Sequence, residues 1–142
     1  MDETLEVPLP TRRATRRLGA ALGSVLRSGD LVLLEGELGA GKTTFAQAVS
    51  RGLGVREPAT SPTYALVHRY AGRRGPVFHL DCYRLRSPDE AADLDWQGLL
   101  AEGDAVIVEW PERAGAWLPP PSHRLRLTHL PDPDRRGLEV LG

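Results

Sequence analysis

Residues 36–43 read Gly-Glu-Leu-Gly-Ala-Gly-Lys-Thr and satisfy G-x-x-x-x-G-K-[ST] at every fixed position. Glycines at 36, 39 and 41 let a backbone curl until successive N–H groups point at one spot, and a helix starting there adds its positive end. Phosphate oxygens are the natural occupant of such a nest. Gly36, Glu37, Leu38, Gly39, Ala40, Gly41, Lys42, Thr43 and Thr44 are therefore the expected nucleotide-binding residues. The chain has eighteen Lys and Arg residues, and Lys42 is the sole lysine among them. Arginine fills the other cationic positions. The one lysine stands where a side chain must reach between β- and γ-phosphate oxygens, a place for a compact ammonium on a slim stem rather than a wide planar fork. Thr43 offers a hydroxyl to Mg²⁺, which takes oxygen ligands and keeps several waters.

A site of this kind also needs a carboxylate at the C-terminal tip of a neighbouring strand, where open sheets place their ligands. Asp81 closes the apolar run "VFHLD" and Glu109 closes "AVIVE". Either could simply mark where a strand meets solvent, but two independent tips favour function. Either acid could hold Mg²⁺ directly or through water; Lys42, Asp81 and Glu109 are the expected catalytic set, and Thr43 and Glu109 the expected metal residues. His79, two before Asp81, shares its strand face. It reads better as a hydrogen-bonded structural residue than as a ligand, because Mg²⁺ beside phosphate prefers oxygen. Cys82 reads as a small buried side chain with no partner that would make it reactive.

Other residues leave alternatives open. "SPTY" places Ser61 and Thr63 between the phosphate-loop helix and the next strand, either as a switch-like loop presenting Thr63 to the γ-phosphate and metal or as an ordinary Ser-Pro turn. Trp110 either closes the core or is an exposed anchor for a partner. Arg12, Arg13, Arg16 and Arg17 stripe one helix. Cations in a first turn oppose the helix dipole by roughly 0.3–1 kcal/mol each. A solvated face is the simpler reading, and an acidic partner or RNA the alternative.

The elements that must position these groups follow from periodicity. Ala14, Leu18, Ala21, Leu22, Val25 and Leu26 recur at helical spacing after Thr11, with Gly29 as a stop. "LVLLE" (31–35) is a buried strand. A second helix starts near Lys42 and stacks Phe45, Val49 and Leu53 on one side. "TYALVHRY" and "VFHLD" form a hairpin-like pair around Gly72 and Gly75. Ser87, Pro88 and Glu90 make a capping box that opens a helix running to about Gly103. "AVIVE" is another buried strand. "RLRLTHL" and "GLEVL" flank a "PDPDRRG" turn as an antiparallel hairpin finishing one edge. The expected fold class is α/β: a single P-loop NTPase-like domain over residues 1–142, with a mostly parallel central sheet flanked by helices and antiparallel strands at its edges.

The whole chain narrows the function. At 142 residues it is long enough for one real core. A net charge of −1 provides no chain-wide basic field for nucleic acid. One cysteine excludes an intramolecular disulfide, and no Cys/His spacing resembles a zinc site. The acidic N-terminus has no apolar signal core, and no run reaches transmembrane length, so a cytoplasmic protein without membrane contact is expected. The sequence contains no asparagine and hence no N-K-x-D element for guanine; ATP is the default nucleotide. Arginine-rich acceptor and lid insertions of the nucleoside monophosphate kinase kind have no room. The residues alone lead to a compact Mg-ATP domain that hydrolyses slowly or works as a nucleotide-dependent switch.

"GELGAGKTTF", "SPTYALVHRY", "HLDCYRL" and "VIVEWPER" occur in the order and at the spacing of one family. From about Leu31 to Arg113 the chain resembles the bacterial TsaE (YjeE) ATPases of tRNA modification. The resemblance implies participation in forming N6-threonylcarbamoyladenosine at position 37 of tRNAs reading codons that start with A, together with TsaD, TsaB and the threonylcarbamoyl-AMP-making enzyme TsaC. tRNA is then an indirect partner. It implies that Lys42 and Thr43 bind phosphate and Mg²⁺, that Asp81 and Glu109 serve the metal and hydrolysis, that Trp110 belongs to the functional surface, and that Ser61 to Thr63 form a switch loop. A small-molecule kinase and a non-hydrolysing adaptor ordered by Mg-ATP are the competing classes.

Overall fold

The computed structural model describes residues 5–37, 39–56, 67–130 and 136–141. In chain order its elements are β1 (Leu5–Leu9), α1 (Arg12–Val25), β2 (Asp30–Gly36), α2 (Lys42–Gly52), β3 (Val67–Ala71), β4 (Pro76–Asp81), α3 (Trp96–Glu102), β5 (Ala105–Glu109), β6 (His123–His129) and β7 (Arg136–Leu141). Short 3₁₀ turns lie at Cys82–Arg84, Pro88–Asp93, Pro111–Arg113 and Gly115–Trp117. The strands form one sheet in the order β1-β7-β6-β2-β5-β4-β3.

Apolar content explains which strands lie in the middle. Side chains alternate faces along a strand, so the unbroken runs of β2 and β5 present apolar groups to both sides and need cover on both. Val32, Leu34 and Ile107 pack with Phe45 and Val49 of α2 on one face. Leu31, Leu33, Val106 and Val108 pack with Phe78, Leu80 and Trp96 on the other. β2 pairs in parallel with β5 and β6, and β5 in parallel with β4. The antiparallel pairs β3–β4, β6–β7 and β1–β7 flank this centre.

The Thr11 hydroxyl caps α1, accepting from the Ala14 N–H at 3.0 Å. The buried face of α1 differs from the expected apolar stripe: Thr15, Gly19 and Gly23 are its buried residues, while Val25 is 71% exposed. The reason is a close helix crossing. A Cβ at Gly23 would collide with the Val49 carbonyl, and one at Gly52 with the Ala20 carbonyl, so the helices meet backbone to backbone and the larger apolar groups of α1 flank the contact.

Three other expectations are corrected. The helix expected from Ser87 to about Gly103 is broken. Ser87 makes no side-chain cap, and Glu90 accepts from the Arg86 N–H at 3.3 Å. Leu94 is extended, and the Trp96 indole donates to the Ala91 carbonyl at 3.0 Å. The α-helix starts only after Asp95, which caps the Gly98 N–H at 3.0 Å. The C-terminal hairpin does not finish the sheet edge, because β1 pairs outside β7, from Leu5↔Val140 to Leu9↔Arg136. β1 itself was not expected as a strand. Its Pro8 has no N–H to donate and suits an edge. The expected turn around 131–135 and the first half of "TYALVHRY" lie outside the described residues.

Candidate functional site

Because β2, β4 and β5 are parallel neighbours, their C-terminal tips lie side by side. Leu34 is level with Glu109, and Glu109 with Asp81. The loop after β2 therefore sits beside both carboxylates. Gly41 leads into α2 at φ 98°, a left-handed conformation suited to glycine, and α2 begins without a side-chain cap. Its first N–H groups and the positive end of its dipole face the loop.

Lys42, only 5% exposed, turns back over this loop. Its ammonium donates to the Gly36 carbonyl at 2.5 Å and the Glu37 carbonyl at 2.9 Å, and lies 3.8 Å from the Trp110 ring centroid. Burial lowers its pKa below the usual lysine value, against the opposing pull of Glu109, Glu112, Asp81 and Glu37.

Glu109 ends a wholly buried strand and is held from two sides. The Thr43 hydroxyl donates to Oε1 at 2.9 Å, and His79 Nε2 lies 2.5 Å from Oε2. A hydroxyl and a carboxylate in contact are hard oxygen donors of the type Mg²⁺ prefers. Among the described residues no group of three or more His, Cys, Asp or Glu could hold a metal ion. Two protein oxygens with waters and phosphate filling the rest is the usual mode for Mg²⁺, and the pair fits it. His79 acts here through Glu109, as a hydrogen-bond partner on the same sheet face.

Asp81 does something different. Its Oδ1 accepts from the Tyr83 N–H at 3.0 Å, starting the turn after β4, and its side chain lines the cleft. That cleft, about 670 Å³ in volume, is also walled by Gly39, Gly41, Lys42, Thr43, Thr44, Glu109 and Trp110. Pro10, Thr11, Thr15 and Arg136 line it too, and none of them is among the site residues expected from the sequence. Arg136, on β7, donates to the Gly39 carbonyl at 3.4 Å, a contact with no local signal in the chain. Arg12 of the arginine stripe reaches this cleft as well.

Trp110 is the one non-glycine residue with positive φ among those described (φ 56°, ψ 49°), a conformation that a bulky side chain rarely adopts. The bend carries its ring between the phosphate loop and the surface. The Tyr83 ring lies 5.0 Å away, and the Arg113 guanidinium 4.8 Å from Tyr83 and 5.8 Å from Trp110. Lys42, Trp110, Tyr83 and Arg113 thus form a stack from the loop outwards, with Tyr83 41% exposed. Tyr83 and Arg113 were not singled out beforehand, although each stands two or three residues beyond a residue that was. Cys82 is fully buried, and burial, aided by Asp81 and Glu112, pushes its thiol up to about 12. Leu38, Ser61 and Thr63 lie outside the described residues.

Chemically, the arrangement offers the uncapped N-terminal turn of α2, one desolvated ammonium and a pair of hard oxygens in contact. Among the described residues no helix is long and apolar enough to cross a membrane.

Known proteins bear on this geometry. The family model described as "Threonylcarbamoyl adenosine biosynthesis protein TsaE" matches residues 9–137. A protein of a Nostoc species named tRNA threonylcarbamoyladenosine biosynthesis protein TsaE is 41% identical over 117 residues, covering 80% of this chain and 72% of its own length. One of the same name from Streptomyces coelicolor is 48% identical over 100 residues, covering 68% and 67% respectively. The crystal structure of Bacillus subtilis YdiB superposes with a TM-score of 0.80 over the whole of this chain and 87% of its own, at 25% identity. The match spans the loop, both strand tips and Trp110, and the chain belongs to the TsaE family, which takes part in tRNA threonylcarbamoyladenosine biosynthesis.

Proposed function

We propose that this protein is a Mg²⁺-dependent ATP hydrolase that supports the TsaD–TsaB transferase, acting with TsaC, in forming N6-threonylcarbamoyladenosine at position 37 of tRNAs reading codons that begin with A. The observation that carries the proposal is the contact of Thr43 with Glu109 beside Lys42, at the mouth of the glycine loop. Backbone N–H groups of residues 36–44 cradle the phosphates, and Lys42 exchanges carbonyl partners for β- and γ-phosphate oxygens. Thr43 and Glu109 would hold the metal, with His79 fixing the carboxylate. Mg²⁺ there would supply positive charge to offset that developing during transfer. Asp81, on the cleft wall and outside the Thr43–Glu109 pair, orients the attacking water. Thr63 and Ser61 form the switch loop.

Hydrolysis is slow in the isolated protein, and the partner pair completes the site. Support for this comes from the Trp110–Tyr83–Arg113 stack, which runs from the phosphate loop to an exposed aromatic where a partner can act on it. The cycle resets the transferase and leaves the carbamoyl chemistry to TsaC and TsaD. The test is ADP release from Mg-ATP by the purified protein, alone and with a TsaB–TsaD pair. A slow basal rate that rises sharply with the pair is expected. An unchanged rate, or a yield of modified tRNA that survives Lys42→Ala, would overturn the reading and turn attention to phosphoryl acceptors.

A further inference from the structure

Charge is strongly segregated in this molecule. α1 and α2, which cover one face of the sheet, carry Arg12, Arg13, Arg16, Arg17, Lys42 and Arg51 and not a single carboxylate, in a chain of net charge −1. Lys42 and Arg12 belong to the nucleotide cleft. The other four line a separate groove of about 340 Å³ between the helices, together with Ala20, Thr44, Gln47 and Ala48. Arg13, Arg16 and Arg17 stand at i, i+3 and i+4, so they share one helix face at about 5–6 Å between Cβ atoms. Arg51 faces them from α2. The five ion pairs between described residues lie elsewhere and involve none of these four. Thr44 borders both the groove and the nucleotide cleft.

We propose that this groove binds the sugar–phosphate backbone of RNA, without reading sequence. The choice of occupant follows from the lining. A protein partner of ordinary affinity needs about 800 Å² per side with an apolar, aromatic-rich centre, and here the lining between the guanidinium groups is two alanines, a threonine and a glutamine. Base-stacking recognition needs exposed aromatics, and the groove has none among its lining residues. What remains is a row of phosphate-sized charges between two walls of fork-shaped donors. RNA as the polyanion rests on the tRNA-modification role proposed above, and goes beyond it by assigning this chain its own RNA contact.

The test is fluorescence anisotropy of labelled, unmodified tRNA transcripts of two unrelated sequences, titrated with the full chain across salt. With four phosphate contacts, binding should weaken about 50- to 150-fold between roughly 50 and 200 mM KCl, following a log–log slope near −3, and alike for both transcripts. Arg16→Gln/Arg17→Gln should flatten the slope by about 1.5, whereas Arg16→Lys/Arg17→Lys should keep it, because phosphate contacts of this kind need charge. Labelled-ATP binding, followed in parallel, should be the same in all three proteins. Loss of ATP binding by the unmutated protein would sink the ATPase reading and leave the groove standing. No salt-sensitive RNA association, or a glutamine variant that keeps its RNA slope while losing association with a TsaB–TsaD pair, would overturn the groove.

Discussion

β5 carries a buried carboxylate at each end, and the two are held in opposite ways. Asp104, just before the strand and 3% exposed, meets the Arg74 guanidinium at 3.2 Å and the Ser28 hydroxyl at 3.1 Å. Arg74 also donates to the Leu26 carbonyl at 2.6 Å. Its partner is a permanent cation that spans two loops, so the cluster is a latch. Glu109, at the far end and 2% exposed, is held by a hydroxyl and an imidazole, with the Lys42 ammonium nearby but hydrogen-bonded to carbonyls. No fixed cation occupies its oxygens. The two carboxylates are equally buried and differ in the kind of partner that holds them. A carboxylate already paired with arginine has nothing left for a metal, whereas one held by a hydroxyl and an imidazole has oxygens a metal could take.

The widest separation between the two ends should appear in turnover. Glu109→Gln keeps size and hydrogen-bonding capacity but removes the charge, and hydrolysis should fall on the order of 100- to 1,000-fold, the scale for losing one preorganised charge-stabilising group. ATP affinity, measured with a fluorescent analogue, should fall much less; equal losses in both would break the assignment of Glu109 to the reaction. Asp104→Ala should do the reverse. It leaves Arg74 half in water and removes charged hydrogen bonds, costing about 2 kcal/mol, seen as a melting temperature lower by about 6 °C with turnover per folded molecule unchanged. Cys82 sharpens this reading, because a thiol pushed to about 12 and fully buried reacts only when the fold opens. Alkylation of Asp104→Ala should run about 30-fold faster than that of the unmutated chain, the factor expected from that loss of stability, while Glu109→Gln labels near the parental rate.

The smallest effect is in pH. With its pKa below the usual lysine value, Lys42 loses its proton earlier on the alkaline side than a free lysine, so ATP affinity should decline before pH 10.5 is reached. Folding stability should move the other way over the same window. Between the lowered folded value and 10.5 the unfolded chain binds more protons, so this group's contribution rises with pH. Affinity that stays flat with pH would remove Lys42 from the phosphates.

What could be read in the chain beforehand follows the range of the interaction. The glycine loop is contiguous, and both acids close apolar runs, so their placement at neighbouring tips needs only that the strands be parallel. β1 depends on pairing with β7 at the other end of the chain, and Pro8 weakens its local pattern. The buried face of α1 escaped because glycine has no side chain to score, although Gly19 and Gly23 are where α2 approaches. The 87–103 segment has a valid capping box, but Glu90 bonds to Arg86 and the Trp96 indole claims the Ala91 carbonyl. Tertiary demand at Trp96 overrides the local start signal. The Tyr83–Trp110–Arg113 stack joins two turns that are adjacent only because β4 and β5 are neighbours.

The backbone contact between α1 and α2 also has a mechanical consequence. Where side chains separate two helices, a shift of one is cushioned by rotamer changes in both. At Gly23 and Gly52 there is no such cushion, and sliding either helix along the other drives a methylene into a carbonyl. The pair is therefore expected to move as one plate, with the glycine loop entering it at Gly41 and the four groove arginines on its outer surface. Any movement of that plate would reach the loop as displacement of its backbone rather than as charge.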